Sequence, residues 1–359
     1  MCPHPPPARA EVRVRGGAAV VRGATASVPA AANASASGVT GAAAAGTAPN
    51  APVAVLAHGL CLNRTEWAAV EKGLTTRGIE CFSYEYVAAL AGWISPHPPS
   101  AWAPARAHSA ASTFFSRWLT RNIYWERSPS HLGQGESDTA AARTLSLSID
   151  ALADDMACVC ELAGGGAPVH LVGHSMGGYC ALRVASRRPE LVASLTLVGS
   201  RAQADHPYKL IEVALMSLVV LLFGVIRPIA DRLMEMMFGP AWVRNHPEAA
   251  RKWHEHFAAL PRRALRAVWG VVTRRPMSDA ELREIRCPVL VVHGEMDDSV
   301  PIDDARVTAA RCPELRRVAM LPAVGHTPAI EAPAEVIALL AEFIDESMRL
   351  SSPAGGSLK

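Results

Sequence analysis

The sequence has no run of about 20 apolar residues, the length that a membrane-spanning helix requires. The longest apolar stretch of this kind is "VALMSLVVLLFGVI", residues 213–226. Its length is typical of a helix that is buried in a protein core or packed in a lid. Peripheral contact of this helix with a membrane surface is the alternative. The sequence therefore predicts no membrane span.

The sequence also lacks a strong excess of either charge. The formal net charge is +2, and only 19% of the residues are charged. A protein that binds nucleic acid usually carries a basic stripe, and none is present here. Half of the residues are hydrophobic, and 359 residues are enough to bury a large core. These values predict a globular protein without a nucleic-acid partner, and they leave its oligomeric state open.

The cysteines form neither a disulfide framework nor a metal-binding pattern. Eight of them are spread along the chain. Cys158 and Cys160 make a CxC pair on a predicted helix, which is not a zinc motif. No cluster of His, Cys and carboxylate residues has the spacing of metal ligands. We therefore expect reduced core cysteines, no metal and an intracellular location, either cytoplasmic or organellar.

Three segments have compositions that do not predict a packed core. Residues 1–51 are a low-complexity leader and linker, in which residues 11–23 alternate around a Gly-Gly pair and could form a hairpin. The leader is rich in Arg, Ala and Ser, so an organellar transit segment and a disordered leader are equally good interpretations. Residues 87–131 form a Trp- and Pro-rich insertion without a regular pattern, and residues 351–359 form a tail.

Elsewhere, short apolar runs alternate with helical patterns. "PVAVLAHG", residues 52–59, and "PVLVVHG", residues 288–294, are continuous apolar runs of the kind that parallel strands buried on both faces contain. The alternation predicts an α/β domain with a parallel sheet over residues 52–200 and 285–350. Residues 201–284 contain helical patterns without a strand signal, which predicts an inserted helical cap.

Local signals predict the limits of two helices. Asn63 and Glu66 have the spacing of a capping box at the start of the first helix, and Gly78 is placed to end it. A second helix is predicted from residue 144, where apolar residues begin to recur every three or four positions. The glycines from Gly164 onward end this helix.

A serine lies where a predicted strand meets a predicted helix, in "VHLVGHSMGGYC", residues 169–180. Gly173, Ser175 and Gly177 match the GxSxG pattern, in which a nucleophilic serine occupies a sharp strand-to-helix turn. A hydroxyl that attacks a carbonyl must stand clear of its backbone and have a base beside it. Alone, the motif also fits a glycine-rich turn with a solvated serine. The other parts of the site decide in favour of a nucleophile.

Candidates for the acid and the base of a catalytic triad follow the serine along the chain. Asp297 comes just after a buried strand, where open α/β sheets place their ligand sites. His326 lies in "LPAVGHTPAIEAP", before the last helix. The chain order Ser, Asp, His is typical of α/β-hydrolases. After the first strand, the turn at Gly59 offers the Leu60 N–H group as an oxyanion donor beside that of Met176.

Other candidates are weaker. Asp298 and Asp205 are less favoured as the acid, because α/β-hydrolases place it in a GxxD pattern, which here runs from Gly294 to Asp297. We expect His58 to brace the oxyanion loop and His170 to be a core or strand-face histidine. The glycine-rich "GQGESD", residues 133–138, has no following G-K-[ST], so no cofactor is predicted.

These motifs together resemble the α/β-hydrolase superfamily, within it the capped branch of esterases, enol-lactonases and cofactor-free haloperoxidase-like enzymes. The resemblance covers about residues 53–345 and is carried by "HGLCLNRTEW", "GQGESD", "GHSMGG", "HGEMDDSVP" and "GHTPAIEAP". It implies the α/β-hydrolase fold, a mostly parallel central sheet flanked by helices, with an inserted helical cap. One departure is the insertion before Gly133, which lies 49 residues after Tyr84.

The sequence thus predicts a serine hydrolase that cleaves a carboxylic ester, lactone or thioester through an acyl-enzyme. The apolar stretch 213–226 predicts a small-molecule substrate with a hydrophobic portion. Transfer of the acyl group to another acceptor, or cleavage of a C–C bond with the same triad, are alternative reactions. A binding protein that uses the fold without catalysis is the alternative from a different class.

Overall fold

The protein is described by a computed structural model over residues 51–84, 148–260, 269–274 and 276–351. The predicted hairpin 11–23, the insertion 87–131 and the loop 133–138 lie outside the described residues. So do the rest of the leader and nearly all of the predicted tail.

Six strands form one sheet in the described part of the chain, and all its pairings are parallel. The strands are β1 (Val53–Ala57), β2 (Glu80–Tyr84), β3 (Val169–His174), β4 (Val192–Val198), β5 (Val289–Gly294) and β6 (Leu315–Leu321). Their order across the sheet is β2-β1-β3-β4-β5-β6. Because all strands point the same way, their carboxyl ends meet at one edge of the sheet. The predicted parallel sheet is confirmed.

Burial explains the apolar runs in the sequence. All six residues of β3 and all six of β5 are buried. A parallel strand in the centre of a sheet is covered on both faces, so its sequence is continuously apolar instead of alternating. β2, at one margin of the sheet, keeps its residues partly exposed.

Helices cover both faces of the sheet. The helices are α1 (Ala68–Thr75), α2 (Ile149–Gly164), α3 (Met176–Arg187), α4 (Pro207–Phe223), α5 (Arg227–Met237), α6 (Pro240–Asn245), α7 (Pro247–Ala258), α8 (Asp279–Arg283), α9 (Ile302–Arg311), α10 (Pro328–Glu331) and α11 (Pro333–Ser351). One apolar cluster packs α2 and α3 against the sheet, and a second packs α1 and α11 against the opposite face. Successive strand residues such as Val55 and Leu56 belong to different clusters, as the period of a strand requires.

The start of α1 differs from its prediction. The Asn63 side chain accepts a hydrogen bond from the Thr65 N–H group at 2.9 Å and caps a short 3₁₀ helix, Arg64–Trp67, which leads into α1. Glu66 does not close a capping box, because its carboxylate is buried beneath the turn after β1. Further along, Ser148 caps α2, which begins at Ile149, and the predicted start at residue 144 lies outside the described residues.

Residues 201–284, which we call the cap segment, run from β4 to β5 and hold α4 to α8. Their apolar residues build a third cluster that includes Phe238, Trp242 and Phe257. α4 contains most of the apolar stretch noted in the sequence. Val220 is buried on its inner side, whereas much of its remaining apolar surface is exposed. The exposed large hydrophobic residues of α4 are Tyr208, Ile211, Leu215, Leu218, Leu221, Leu222 and Phe223.

The seven described cysteines are all free thiols. Only four of them are core residues, since Cys158 is exposed and Cys61 and Cys81 are partly exposed. The intracellular location inferred from the cysteines stays a prediction. Within the described ranges, no helix combines the length and the apolarity that a membrane span needs, and no three potential metal ligands cluster.

Candidate active site

Ser175 occupies the turn between β3 and α3. Its backbone has φ 48° and ψ −112°, a conformation that a residue with a side chain rarely adopts. Hydrogen bonds hold the turn on both sides, from the Ser175 N–H group to the Val198 carbonyl at 2.9 Å and from the Tyr179 N–H group to the Ser175 carbonyl at 3.0 Å. Such strain, fixed by the surrounding structure, is typical of functional sites. This is the geometry that presents a nucleophilic serine.

The glycines of this turn allow close contact between its two elements. A Cβ atom at Gly173 would lie 2.5 Å from the Gly177 carbonyl oxygen. A Cβ atom at Gly177 would lie 2.5 Å from the Ala57 carbonyl oxygen, and one at Gly59 would lie 2.7 Å from His174 Nδ1. These distances are shorter than non-bonded contacts of a real side chain. The two motif glycines and Gly59 therefore let β1, β3 and α3 approach each other at the sheet edge.

Asp297 and His326 meet above the ends of β5 and β6. His326 Nδ1 donates a hydrogen bond to Asp297 Oδ2 at 2.7 Å, and the Asp297 side chain has no exposed surface. Asp297 Oδ1 accepts from the N–H groups of Ser299 and Val300 at 2.9 and 2.8 Å. Since Nδ1 carries the proton, a neutral His326 has Nε2 available as a base.

The electrostatics keep Asp297 ionised. Burial raises the pKa of its carboxyl group. The charge and hydrogen bond of His326 lower this pKa, with smaller contributions from His293 and the Val300 N–H group. Together they outweigh burial, so the pKa lies below its usual range. An ionised, buried carboxylate in this position orients the imidazole and stabilises its cation.

Ser175 and His326 line one cavity of about 160 Å³, together with Leu60. No hydrogen bond joins the Ser175 hydroxyl to the imidazole among the described residues. Hydrogen bonds of this kind often tighten only when a substrate is in place. The structure thus brings Asp297 and His326 into direct contact and places Ser175 in the same cavity.

The two backbone N–H groups that the sequence predicts as oxyanion donors lie just after β1 and β3, at the sheet edge. Met176 is the first residue of α3, and the first N–H groups of a helix have no partner within the helix. Leu60 lies in the turn after β1 and lines the cavity with Ser175. The helix N-terminus also favours negative charge beside Ser175.

The remaining wall of the cavity is mostly apolar. The apolar side chains come mainly from the cap segment: Val213, Met216, Val220, Val225, Ile229, Leu233, Met236, Met237, Leu260, Val271 and Val272. A smaller polar part is formed by Tyr179, Asp205, Lys209 and Arg274. Arg274 stacks on the Tyr179 ring at 3.6 Å from its centroid and pairs with Asp205.

The weaker candidates have other partners. Asp298 pairs with Arg232 at 2.7 Å, on α5 of the cap segment. Asp205 pairs with arginines, and it does not contact His326. His170 forms a hydrogen bond with Ser194 Oγ at 2.8 Å, and burial lowers the pKa of His170 to about 4, as for a neutral core histidine. His58 Nδ1 lies 2.9 Å from the Gly59 carbonyl oxygen, within the turn that it was expected to brace.

Sequence reasoning missed three supporting residues. Glu66 and His174 form a buried pair at 3.2 Å under the turn that holds Leu60. Glu331 accepts hydrogen bonds from the N–H groups of Gly325 and Thr327, at 3.0 and 3.2 Å, and so holds the loop that contains His326. Both glutamates belong to the quoted motifs, so their place in those motifs was the available signal.

Comparisons with known proteins found similarity to hydrolases. The family model described as serine aminopeptidase, S33, matches residues 106–333, which is more than half of the chain. Among curated proteins, a pimeloyl-[acyl-carrier protein] methyl ester esterase of Aeromonas hydrophila is 28% identical over 180 residues, 49% of this chain and 70% of that protein. A 2-hydroxymuconate semialdehyde hydrolase of Pseudomonas sp. strain CF600 is 28% identical over 187 residues, 49% of this chain and 62% of that protein.

Solved structures show the same fold. An esterase of Thermogutta terrifontis has a TM-score of 0.59 and 22% identity, with 82% of this chain and 90% of that chain covered. The enol-lactonase of Burkholderia xenovorans LB400 has a TM-score of 0.60 and 16% identity, with 83% and 92% covered. The chain belongs to the serine aminopeptidase S33 family and is a hydrolase of the α/β-hydrolase type.

Proposed function

We propose that this protein is a serine hydrolase that cleaves a carboxylic ester, lactone or thioester through an acyl-enzyme on Ser175. The hydrogen bond from His326 to the buried Asp297 carries the proposal, together with the cavity that His326 and the strained Ser175 both line. The esterase-type relatives support a reaction at a carboxylic ester. In this proposal the cap segment sets the specificity.

In the first step, His326 Nε2 takes the proton from the Ser175 hydroxyl while Oγ attacks the carbonyl carbon. The N–H groups of Leu60 and Met176 donate hydrogen bonds to the oxygen that becomes negative, and Asp297 stabilises the imidazolium. The tetrahedral intermediate then collapses. The bond to the leaving oxygen or sulfur breaks, and His326 returns the proton to that leaving group.

In the second step, water replaces the leaving group. His326 takes a proton from the water, which attacks the acyl carbon, and the bond between that carbon and Ser175 Oγ breaks. The proton passes back to Ser175, so the free enzyme and a carboxylic acid are released. No cofactor takes part in this sequence.

The cavity supports a substrate with a hydrophobic portion. Its walls are formed mostly by aliphatic and Met side chains from the cap segment, and burying apolar surface against them favours binding by roughly 25 cal/mol per Å². An apolar acyl chain or alcohol chain fits this lining better than a short polar group does.

A series of p-nitrophenyl esters with graded acyl length tests the proposal. We expect kcat/KM to rise with chain length until the cavity is filled. Ser175→Ala should lower kcat by at least about 10⁴-fold, since loss of a triad nucleophile removes the covalent step. Ser186→Ala, at the other end of α3, is the matched control and should retain wild-type activity.

Two results would contradict the proposal. One is full activity in Ser175→Ala, and the other is a preference for short polar esters over long apolar ones. Product analysis with and without an added alcohol separates hydrolysis from acyl transfer, because a transferase would yield the new ester in place of the acid. Lack of activity on all esters, with a bound apolar ligand, would favour the non-catalytic alternative.

A further inference from the structure

Three loops of the candidate site meet at one buried pair, Glu66 and His174. His174 Nδ1 lies 3.2 Å from Glu66 Oε1, and the two side chains are only 2% and 1% exposed. On its other side, His174 Nε2 donates a hydrogen bond to the His326 carbonyl oxygen at 2.7 Å. The Gly59 N–H group donates a longer hydrogen bond, at 3.4 Å, to Glu66 Oε2. Each contact belongs to a different loop of the site.

These partners determine the protonation of His174. A carbonyl oxygen only accepts hydrogen bonds, so Nε2 must carry a proton, and an ionised Glu66 requires a proton on Nδ1 as well. Burial lowers the pKa of His174, but the charge and hydrogen bond of Glu66, the His326 carbonyl and the charge of Asp297 together raise it above its usual value. His174 Nε2 therefore donates to the His326 carbonyl, and the raised pKa favours the imidazolium form, in which Nδ1 donates to Glu66 as well.

The contacts of the pair lie within one residue of three proposed groups of the site, Leu60, Ser175 and His326. Gly59 precedes Leu60, a proposed oxyanion donor, and His174 precedes Ser175. The hydrogen bond from Nε2 fixes the backbone of His326 itself. A Cβ atom at Gly59 would approach His174 Nδ1 to 2.7 Å, so the turn packs directly on the imidazole.

We propose that Glu66 and His174 are positioning residues that hold the oxyanion turn, the nucleophile turn and the His326 loop in one fixed arrangement. This inference rests on the proposed function of Ser175 and His326. Neither residue of the pair lines the cavity, so both act through their neighbours and not on the substrate. Loss of either residue should therefore lower kcat and leave KM nearly unchanged.

Two substitutions at His174 separate its two hydrogen bonds. The amide nitrogen of His174→Gln stands near the place of Nε2 and keeps a donor for the His326 carbonyl. The amide nitrogen of His174→Asn stands near the place of Nδ1 and keeps a donor for Glu66 only. We expect His174→Asn to lower kcat by about 100-fold and His174→Gln by about tenfold, since small displacements of catalytic groups have effects of this size.

Substitutions at Glu66 test the other half of the pair. Glu66→Gln removes the charge and should lower kcat by about tenfold, whereas Glu66→Asp keeps a carboxylate and should recover part of the loss. Glu80→Gln, an exposed glutamate on β2, is the matched control and should retain the wild-type kcat. Thermal unfolding of each variant verifies that it is folded before it is assayed.

Each outcome bears on the proposal. A wild-type kcat in folded His174→Asn or Glu66→Gln overturns it, and so does a raised KM with an unchanged kcat. If those two variants do not fold, the milder His174→Gln and Glu66→Asp take their place, and wild-type rates in both overturn it equally. Failure of the proposed function itself is distinguished by Ser175→Ala, which would then remain active.

Discussion

The sheet edge that carries Ser175 and the cap segment beside it are built from different interactions. At the sheet edge, charged and polar side chains are buried and bonded to each other, as in the pairs Asp297 with His326 and Glu66 with His174. In the cap segment, charged side chains such as Arg232 form partly exposed ion pairs, and apolar residues line most of the cavity or face outward. Arg274 and Asp205 form a buried ion pair in the same segment, so the contrast is one of proportion.

The difference indicates that the two regions have different roles. Buried polar groups that lose one partner leave the other unsatisfied, which makes their geometry costly to change. Apolar contacts are not directional, so a cavity wall made of them can change its shape with little effect on the chemistry below it. We infer that the sheet edge fixes the reaction and that the cap segment selects the substrate.

Asp297→Asn, at the sheet edge, should have the largest effect on the reaction. The amide cannot stabilise the His326 cation and favours the wrong tautomer, so kcat should fall by about 10⁴-fold with little change in folding. Steady-state kinetics on a p-nitrophenyl ester measures this loss, and urea unfolding provides the control. A loss below about tenfold would show that Asp297 is not the acid of the site.

His170, a buried histidine of β3, tests how the burial of a polar group in the sheet affects stability at different pH values. Burial lowers the pKa of His170 from 6.5 to about 4, so between these values the unfolded state binds a proton that the folded state does not. The stability associated with a neutral His170 is present above pH 6.5 and is lost as the pH falls towards 4. Its full size is about 3 kcal/mol, from the difference between the two pKa values.

Urea unfolding at a series of pH values measures this effect. The loss of stability with falling pH should be smaller in His170→Gln than in the wild type. Ser186→Ala, which changes no titratable group, should leave the pH dependence as it is. Equal pH dependence in the wild type and His170→Gln would contradict the expectation.

Two adjacent residues of α4 test the role assigned to the cap segment. Val220 is buried and lines the cavity, whereas Leu221 is exposed. Val220→Phe should reduce kcat/KM for long-chain esters by about tenfold and change short-chain esters much less, since the added ring fills space that the chain needs. Leu221→Phe should leave the ratio of the two rates unchanged. A uniform loss over all chain lengths would contradict selection by this wall.

Asp298→Asn should have the smallest effect, although Asp298 is the neighbour of Asp297. Its ion pair with Arg232 is partly exposed, and such pairs contribute about 1 kcal/mol or less to stability. The expected change in kcat is below about threefold. A larger loss, measured beside Asp297→Asn, would show that the contact between the sheet edge and the cap segment controls the reaction.

Much of the site could be predicted because its signals are local. The turn at Ser175 needs glycines on either side, and that requirement is visible in the sequence as GxSxG. The spacing from Gly294 selected Asp297 over Asp298, and the structure gives these two residues different partners.

The role of Glu66 could not be predicted from local spacing, and its place in the motif "HGLCLNRTEW" was the only signal. Its spacing from Asn63 matches a capping box on an exposed helix, whereas its partner His174 lies 108 residues away. A buried ion pair depends on the tertiary approach of two segments, and nothing in the local pattern distinguishes it from a surface charge. For the apolar stretch of α4, the sequence left burial and contact with a membrane surface as alternatives, because apolar composition does not reveal which side of a helix is covered.

The most direct test of the account is covalent labelling with a fluorophosphonate, read by intact mass and by peptide mapping. We expect one label per chain of the wild-type protein, located on Ser175. Asp297→Asn should be labelled more slowly, and Ser175→Ala should not be labelled. Labelling of another residue, or undiminished labelling of Ser175→Ala, would contradict the claim that the fold makes this serine reactive.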